Sequence, residues 1–136
     1  MLMGTGGNAG GQTSVTIIRG LALEEIRMRD ILRILFKELR VSLLCGGMVA
    51  IATFVKLLCV DKLILKNTGI TVEVALIVSL AILVVIIIAK IVGGLLPVLA
   101  KRIGLDPAVM ASPFITTIVD AISLLVYFGI ATAIII

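Results

Sequence analysis

The sequence predicts an all-α fold, a polytopic transmembrane helical bundle. Three observations carry that prediction: an extreme apolar composition, three long runs with almost no charge, and basic residues gathered at the ends of those runs. Of 136 residues, 61% are hydrophobic and 15% are charged, with a mean hydropathy of +1.33. A soluble domain is about 45–50% apolar and about 25% charged. A soluble core of this size could not bury so much apolar surface, so part of the solvent must be lipid. The length fits one domain over residues 1–136.

The first segment, residues 1–18, is rich in small residues: Gly4, Gly6, Gly7, Gly10 and Gly11, with Thr5, Asn8, Gln12, Thr13 and Ser14. In water such a composition reads as a flexible linker. In a membrane it reads equally as a partial helix whose backbone packs closely or lines a cavity. Met1 is not followed by a basic n-region with a cleavage site, so no signal peptide is expected.

Residues 19–40 are amphipathic. Leu21, Met28, Leu32, Leu35 and Leu39 recur at helical spacing. Glu24, Glu25, Arg27, Arg29, Asp30, Arg33, Lys37 and Arg40 fill most other positions. Acids come early and bases late, as the helix dipole favours, and Glu25 and Arg29 are an i,i+4 pair. The pattern predicts an interfacial connecting helix, and a solvated connector is the plainer alternative.

Three full spans follow. Residues 41–60 are apolar except Lys56, which can snorkel to the interface. Residues 61–71 form a polar turn. Residues 72–100 carry one deep charge, Lys90, which needs a partner or a tilt; Gly93, Gly94 and Pro97 weaken the same end of that helix. Asp106-Pro107 reads as an N-cap followed by proline at the first helical position, and Ser112-Pro113 as a second start or a kink. The span over 107–136 has Asp120 as the one charge of its membrane run.

Charge placement fixes an orientation. The positive-inside rule puts the connector 19–40 and the loop 101–106 on the cytoplasmic side. The loop 61–71 and the C-terminus then lie outside, in a multi-pass cell-membrane topology. The net charge of +4 does not indicate nucleic acid, because the basic residues flank apolar runs. There is no His, which disfavours zinc. Cys45 and Cys59 are roughly 21 Å apart along a helix, at about 1.5 Å per residue, too far to pair, and they read as apolar packing residues.

Asp120 is the sharpest feature. A charge at mid-membrane costs about 2.5–3.5 kcal/mol on insertion scales, so it faces other helices or water. Ser112, Thr116, Asp120, Ser123 and Tyr127 share one helical face. A carboxylate there suits a hard divalent cation such as Mg²⁺, although one Asp cannot neutralise it and two copies across a two-fold axis could. It suits a proton relay equally, and a buried Asp paired with Lys90 is the plainer alternative. No nucleophile–base pair, Walker-type phosphate loop or paired-acid motif is present, so no enzyme is expected.

Two stretches carry a resemblance. "GTGGNAGGQTSVTIIRGLAL", Gly4 to Leu23, resembles the second membrane helix and following connector of MgtE-type magnesium transporters. "LLPVLAKRIGLDPAVMASPFITTIVDAISLLVYF", Leu95 to Phe128, resembles the end of that family's fourth helix and its fifth. The likeness spans nearly the whole chain and is weakest across Val41–Val92.

The resemblance implies a homodimeric divalent-cation channel or transporter. Its transported ion would be Mg²⁺, with Mn²⁺ and Co²⁺ as other candidates, and its pore would lie at the dimer axis. It implies Asp120 as the central ion-binding acid, with Ser112 and Thr116 above it, and Gly4, Gly7 and Asn8 near the pore; Ser123 joins the lining by its place on the Asp120 face. By this likeness the Gly-rich start is a helix end. Against the family's five helices, the first helix, the start of the second and the cytoplasmic regulatory regions have no counterpart. A fragment, or a chain that works with a missing region, is therefore expected. A proton-coupled exchanger and a non-transporting assembly subunit are the two other readings.

Overall fold

The Gly-rich start is helical. In the computed structural model, which describes residues 1–110 and 112–135 and leaves the side chains of Met28 and Ser112 undescribed, helix α1 runs Leu2–Ala22. Glycine is a poor helix former in water, so this helix depends on its neighbours. α1 packs against both later spans, α3 (Val72–Arg102) and α4 (Ser112–Ile135). Its glycines make that possible. A Cβ at Gly93 of α3 would overlap the Gly10 carbonyl of α1, and a Cβ at Gly10 would come within 2.9 Å of the Ala89 carbonyl oxygen. The two backbones touch where neither carries a side chain. Helices inside a bilayer gain from such contact because lipid supplies no hydrophobic drive between them.

α1 ends in a left-handed turn at Glu24, with φ of 56°, and Gly20 leaves the room that Ile26 fills. A 3-10 turn over Met28–Asp30 then leads into α2, Ile31–Lys56. The chain does not divide at the expected Arg40/Val41 boundary, because α2 passes through it unbroken. Arg33, Lys37 and Arg40 stay exposed, while Ile34, Leu35 and Leu39 are partly buried on the other side. The amphipathic stretch and the apolar stretch share one helical phase, so nothing breaks the helix between them. Past Lys56 the helix loosens into a π-helical stretch, Leu57–Ile64, with Lys56 paired to Asp61 at 2.9 Å.

Thr71 caps α3 by accepting from the Val74 N–H at 3.2 Å, in the manner of an N-cap threonine. α3 is the most buried span and touches every other helix. Asp106 does cap, but not α4 directly. Its Oδ1 accepts from the Ala108 N–H at 2.9 Å and starts a 3-10 turn over Pro107–Met110. α4 begins at Ser112 with Pro113 in its first turn, where proline is tolerated.

The fold is all-helical among the described residues, and three helices are long and apolar enough to cross a membrane: Ile31–Ile64, Val72–Arg102 and Pro113–Ile135. α1 matches a span in length, roughly 31 Å at about 1.5 Å per residue, but is too polar on one side to qualify by hydropathy. Leu43, Leu44, Met48 and Ile51 of α2 and Leu125 and Phe128 of α4 are exposed, which suits lipid contact. Cys45 and Cys59 are free and exposed.

The crossing of α1 and α3 is directly testable. Gly93→Ala forces a Cβ into the Gly10 backbone, and overpacking of this kind costs about 1–3 kcal/mol. Gly47→Ala, where nothing lies within 4 Å, should be neutral or stabilising. Thermal unfolding of the two variants in detergent should separate them, and equal midpoints would show that the crossing does not need glycine.

Candidate ion-binding face

The site is assembled by α1 and α4. Thr116 and Asp120 of α4 lie one turn apart, and both face Gly7 of α1. A Cβ at Gly7 would stand 3.1 Å from Thr116 Cγ2 and 3.6 Å from Asp120 Oδ1. The absent side chain of Gly7 therefore leaves the Asp120 carboxylate beside bare α1 backbone. Asp120 and Thr116 are both partly exposed. Thr116 Oγ1 donates to the Pro113 carbonyl at 2.9 Å, a bond that Thr117 Oγ1 duplicates. The Thr116 hydroxyl proton is thus engaged, and its oxygen lone pairs remain as acceptors.

The ion pairs among the described residues are Lys56–Asp61 and Glu38–Lys90. Asp120 belongs to neither, so the alternative of an Asp120–Lys90 pair is not what the structure contains. Lys90 takes Glu38 as its partner at 3.1 Å and also donates to Thr13 Oγ1 at 3.3 Å. Glu38 is the residue that sequence reasoning missed. It sits in a charge-rich stretch and looks like one more solvated acid. Its signal was faint: Leu35 and Leu39, the apolar positions of that stretch, flank it on the inward side of the helix.

The remaining expected residues fall in different places. Gly7 is buried against Asp120, Asn8 is exposed, and Gly4 is exposed with nothing within 4 Å of a Cβ there. Asn8, Gly11, Gln12, Val15 and Thr16 line an open groove of about 380 Å³ along α1. Asn8, Gln12 and Thr16 recur at spacing four, so one face of α1 is polar and open. Gln12 and Thr16 were not singled out from the sequence, although their spacing from Asn8 could have found them. The side chain of Ser112 lies outside the described residues.

Ser123 departs from its expected place in the pore lining. It is 1% exposed, donates to the Val119 carbonyl at 2.6 Å, and sits 3.2 Å from where a Gly6 Cβ would be. A helical stripe at spacings of three and four is wide enough to straddle two surfaces. Thr116 and Asp120 meet α1 at Gly7 and stay partly exposed, whereas Ser123 is enclosed against Gly6.

One chain offers a cation little charge at this site. Among the described residues no group of three or more His, Cys, Asp or Glu side chains stands together. A cation at Asp120 would meet one carboxylate, with the Thr116 hydroxyl oxygen one turn away.

Comparison with known proteins places the chain in a family. The MgtE profile, described as a divalent cation transporter, matches residues 1–130. The magnesium transporter MgtE of Bacillus subtilis is 33% identical over 133 residues, covering 98% of this chain and 28% of that protein. Its namesake in Thermus thermophilus is 34% identical over 131 residues, covering 96% of this chain and 27% of that protein. That of Enterococcus faecalis is 30% identical over 132 residues, covering 97% and 27%. The chain thus spans a little over a quarter of the length of these relatives, and it belongs to the MgtE family of divalent cation transporters.

Proposed function

We propose that the chain forms the membrane part of a Mg²⁺ transporter, with the ion passing along the axis of a homodimer and Asp120 as its central binding acid. The observation that carries this is the Asp120 carboxylate, partly exposed, outside both ion pairs and set against the bare backbone of Gly7. A carboxylate in that setting is costly unless something positive visits it. The relatives, which are named magnesium transporters, suggest the ion.

Mg²⁺ is hard, prefers oxygen and sheds water reluctantly. It would be held mostly hydrated, between the Asp120 carboxylates of two protomers. Thr116 and Asn8 would receive its water hydrogens. Gly7 packs directly against Thr116 and Asp120, so a hydrated ion would approach the acid from its exposed side. A two-fold axis supplies the second carboxylate that one chain lacks. Mn²⁺ and Co²⁺ share the oxygen chemistry and are the competing cargo. The charged ends of α1, α2 and α3 face the cytoplasm in this orientation. Lys101 Nζ, donating to the Leu21 carbonyl at 3.3 Å, brings two of those ends together on one side.

Two experiments test the proposal. In the full-length protein reconstituted in liposomes, Asp120→Asn should lower Mg²⁺ uptake by at least about tenfold, the factor that about 1.4 kcal/mol of lost ion binding produces. Uptake measured with an indicator dye would overturn the assignment if Asp120→Asn matched the parent. Uptake that followed an imposed pH gradient would instead favour proton exchange at Asp120. Separately, cysteines introduced at Asn8, Gln12 and Thr16, with Cys45 and Cys59 replaced by Ser, should react with a membrane-impermeant maleimide. Cysteines at Leu44 and Ile51 should not. Equal reactivity on both faces would rule out an aqueous passage along α1.

A further inference from the structure

Three polar side chains inside the bundle have no part in the passage just described, and they close on one another. Lys90 Nζ of α3 donates to Glu38 Oε2 of α2 at 3.1 Å. It also donates to Thr13 Oγ1 of α1 at 3.3 Å. Thr13 Oγ1 in turn donates to the same Glu38 Oε2 at 3.1 Å. The result is a three-membered ring with one corner on each of three helices. The charged side chains are only 13% and 12% exposed, and Thr13 is 3% exposed. Hydrogen bonds in a low-dielectric interior strengthen one another, and charge-assisted ones are the stronger kind.

The ring adds a second directional tie to α1, beside that of Ser14, which donates to the Met110 carbonyl at 2.7 Å. Along Gly6, Gly7 and Gly10 the helix is held by close backbone contact. Such contact fixes distance well but rotation weakly, because a glycine presents no side chain to key into a groove. Thr13 provides a directional tie. It adjoins Gln12 on the open face and lies roughly 9 Å along the axis from Gly7, at about 1.5 Å per residue. A rotation of α1 that broke the Thr13 bonds would swing Gly7 away from Asp120 and Gln12 out of the groove. The geometry points to Glu38 and Lys90 as positioning residues that act through Thr13 to fix the rotation of α1. They thereby line up Gly7, Asn8 and Gln12 with Asp120 without touching the ion.

The uptake arm of the test rests on the proposed transport function, whereas the rotation of α1 can be read without it. The test uses the full-length protein in liposomes, with Cys45 and Cys59 replaced by Ser and Gln12→Cys as the reporter. Thr13→Val removes only the α1 corner and leaves the Glu38–Lys90 pair in place. It should slow maleimide labelling at Gln12→Cys, and lower Mg²⁺ uptake in the parent background, each by about threefold to tenfold, the range a single hydrogen bond commands. Thr13→Ser, which keeps the hydroxyl, should restore both. Glu38→Gln and Lys90→Met should shift labelling in the same direction, and the charge swap Glu38→Lys with Lys90→Glu should recover most of the loss. Should these pair variants fail to reach the membrane, the contrast of Thr13→Val with Thr13→Ser decides alone. Parental labelling in Thr13→Val would overturn the positioning role, whatever happened to uptake. Altered labelling with full uptake would uphold that role and count against the passage along α1.

Discussion

The backbone contact between Gly10 and Gly93 is the constraint on which the rest depends. A Cβ at Gly93 would overlap the Gly10 carbonyl, so α1 lies against α3 only because both residues are glycine. From that crossing the other placements along α1 follow by helical geometry. Gly6 meets Val85 and Val119, and Gly7 meets Thr116 and Asp120. Ile17 and Leu21 join Val98 in an apolar cluster, with Ile26, Ile31 and Ile34 around it. Move α1 outward by a methyl group and each of these contacts loosens together. A helix this rich in glycine has little intrinsic stability, so its shape is borrowed from α3 and α4.

The same crossing settles the polar groups. A buried hydroxyl or carbonyl in an apolar setting needs a partner. Ser14 of α1, fully buried, donates to the Met110 carbonyl at 2.7 Å and so ties the 3-10 turn before α4 to α1. Ser42, Ser79 and Ser123 each donate to a carbonyl three or four residues back in their own helices, the usual recourse of serine within a helix. Lys90, Glu38 and Thr13 satisfy one another. Against this background of internally paired groups, Asp120 stands apart from both ion pairs.

Much of this was legible in the sequence, for reasons particular to each element. Apolar runs long enough to cross a bilayer leave few alternatives to helix, so α2, α3 and α4 could be read directly. The Asp106 cap was legible as chemistry, but not the short 3-10 turn it starts, because both geometries begin with the same proline. The Gly-rich start was ambiguous between linker and helix because its partner, Gly93, lies far away in sequence. That Thr116 and Asp120 share one face could be read from spacing alone. Ser123 could not be separated from it, since the division between opening and packing surface depends on where α1 lies. The partner of Lys90 was hidden for the same reason: Glu38 meets Lys90 only once α2 is folded back along α3.

Charge arithmetic links the ring to the proposed passage. Lys90 alone, deep in a span, would place a positive charge in the same bundle as a cation's path and repel the cargo. Glu38, at 3.1 Å, cancels it locally, and Lys56 with Asp61 forms a second neutral pair near the far end of α2. Away from the charged ends of the spans, what remains in each chain is the single negative charge of Asp120. Two protomers about the proposed two-fold axis would then present two negative charges, the complement of one divalent ion. Without Glu38, the Lys90 charge would offset Asp120 and leave the pair of chains with no net attraction for the ion. On the proposed function, a residue that never meets the cation would thus bear on whether the passage attracts one. This is why an acid buried among the charges of α2 would matter to the proposed function alongside the partly exposed acid on α4.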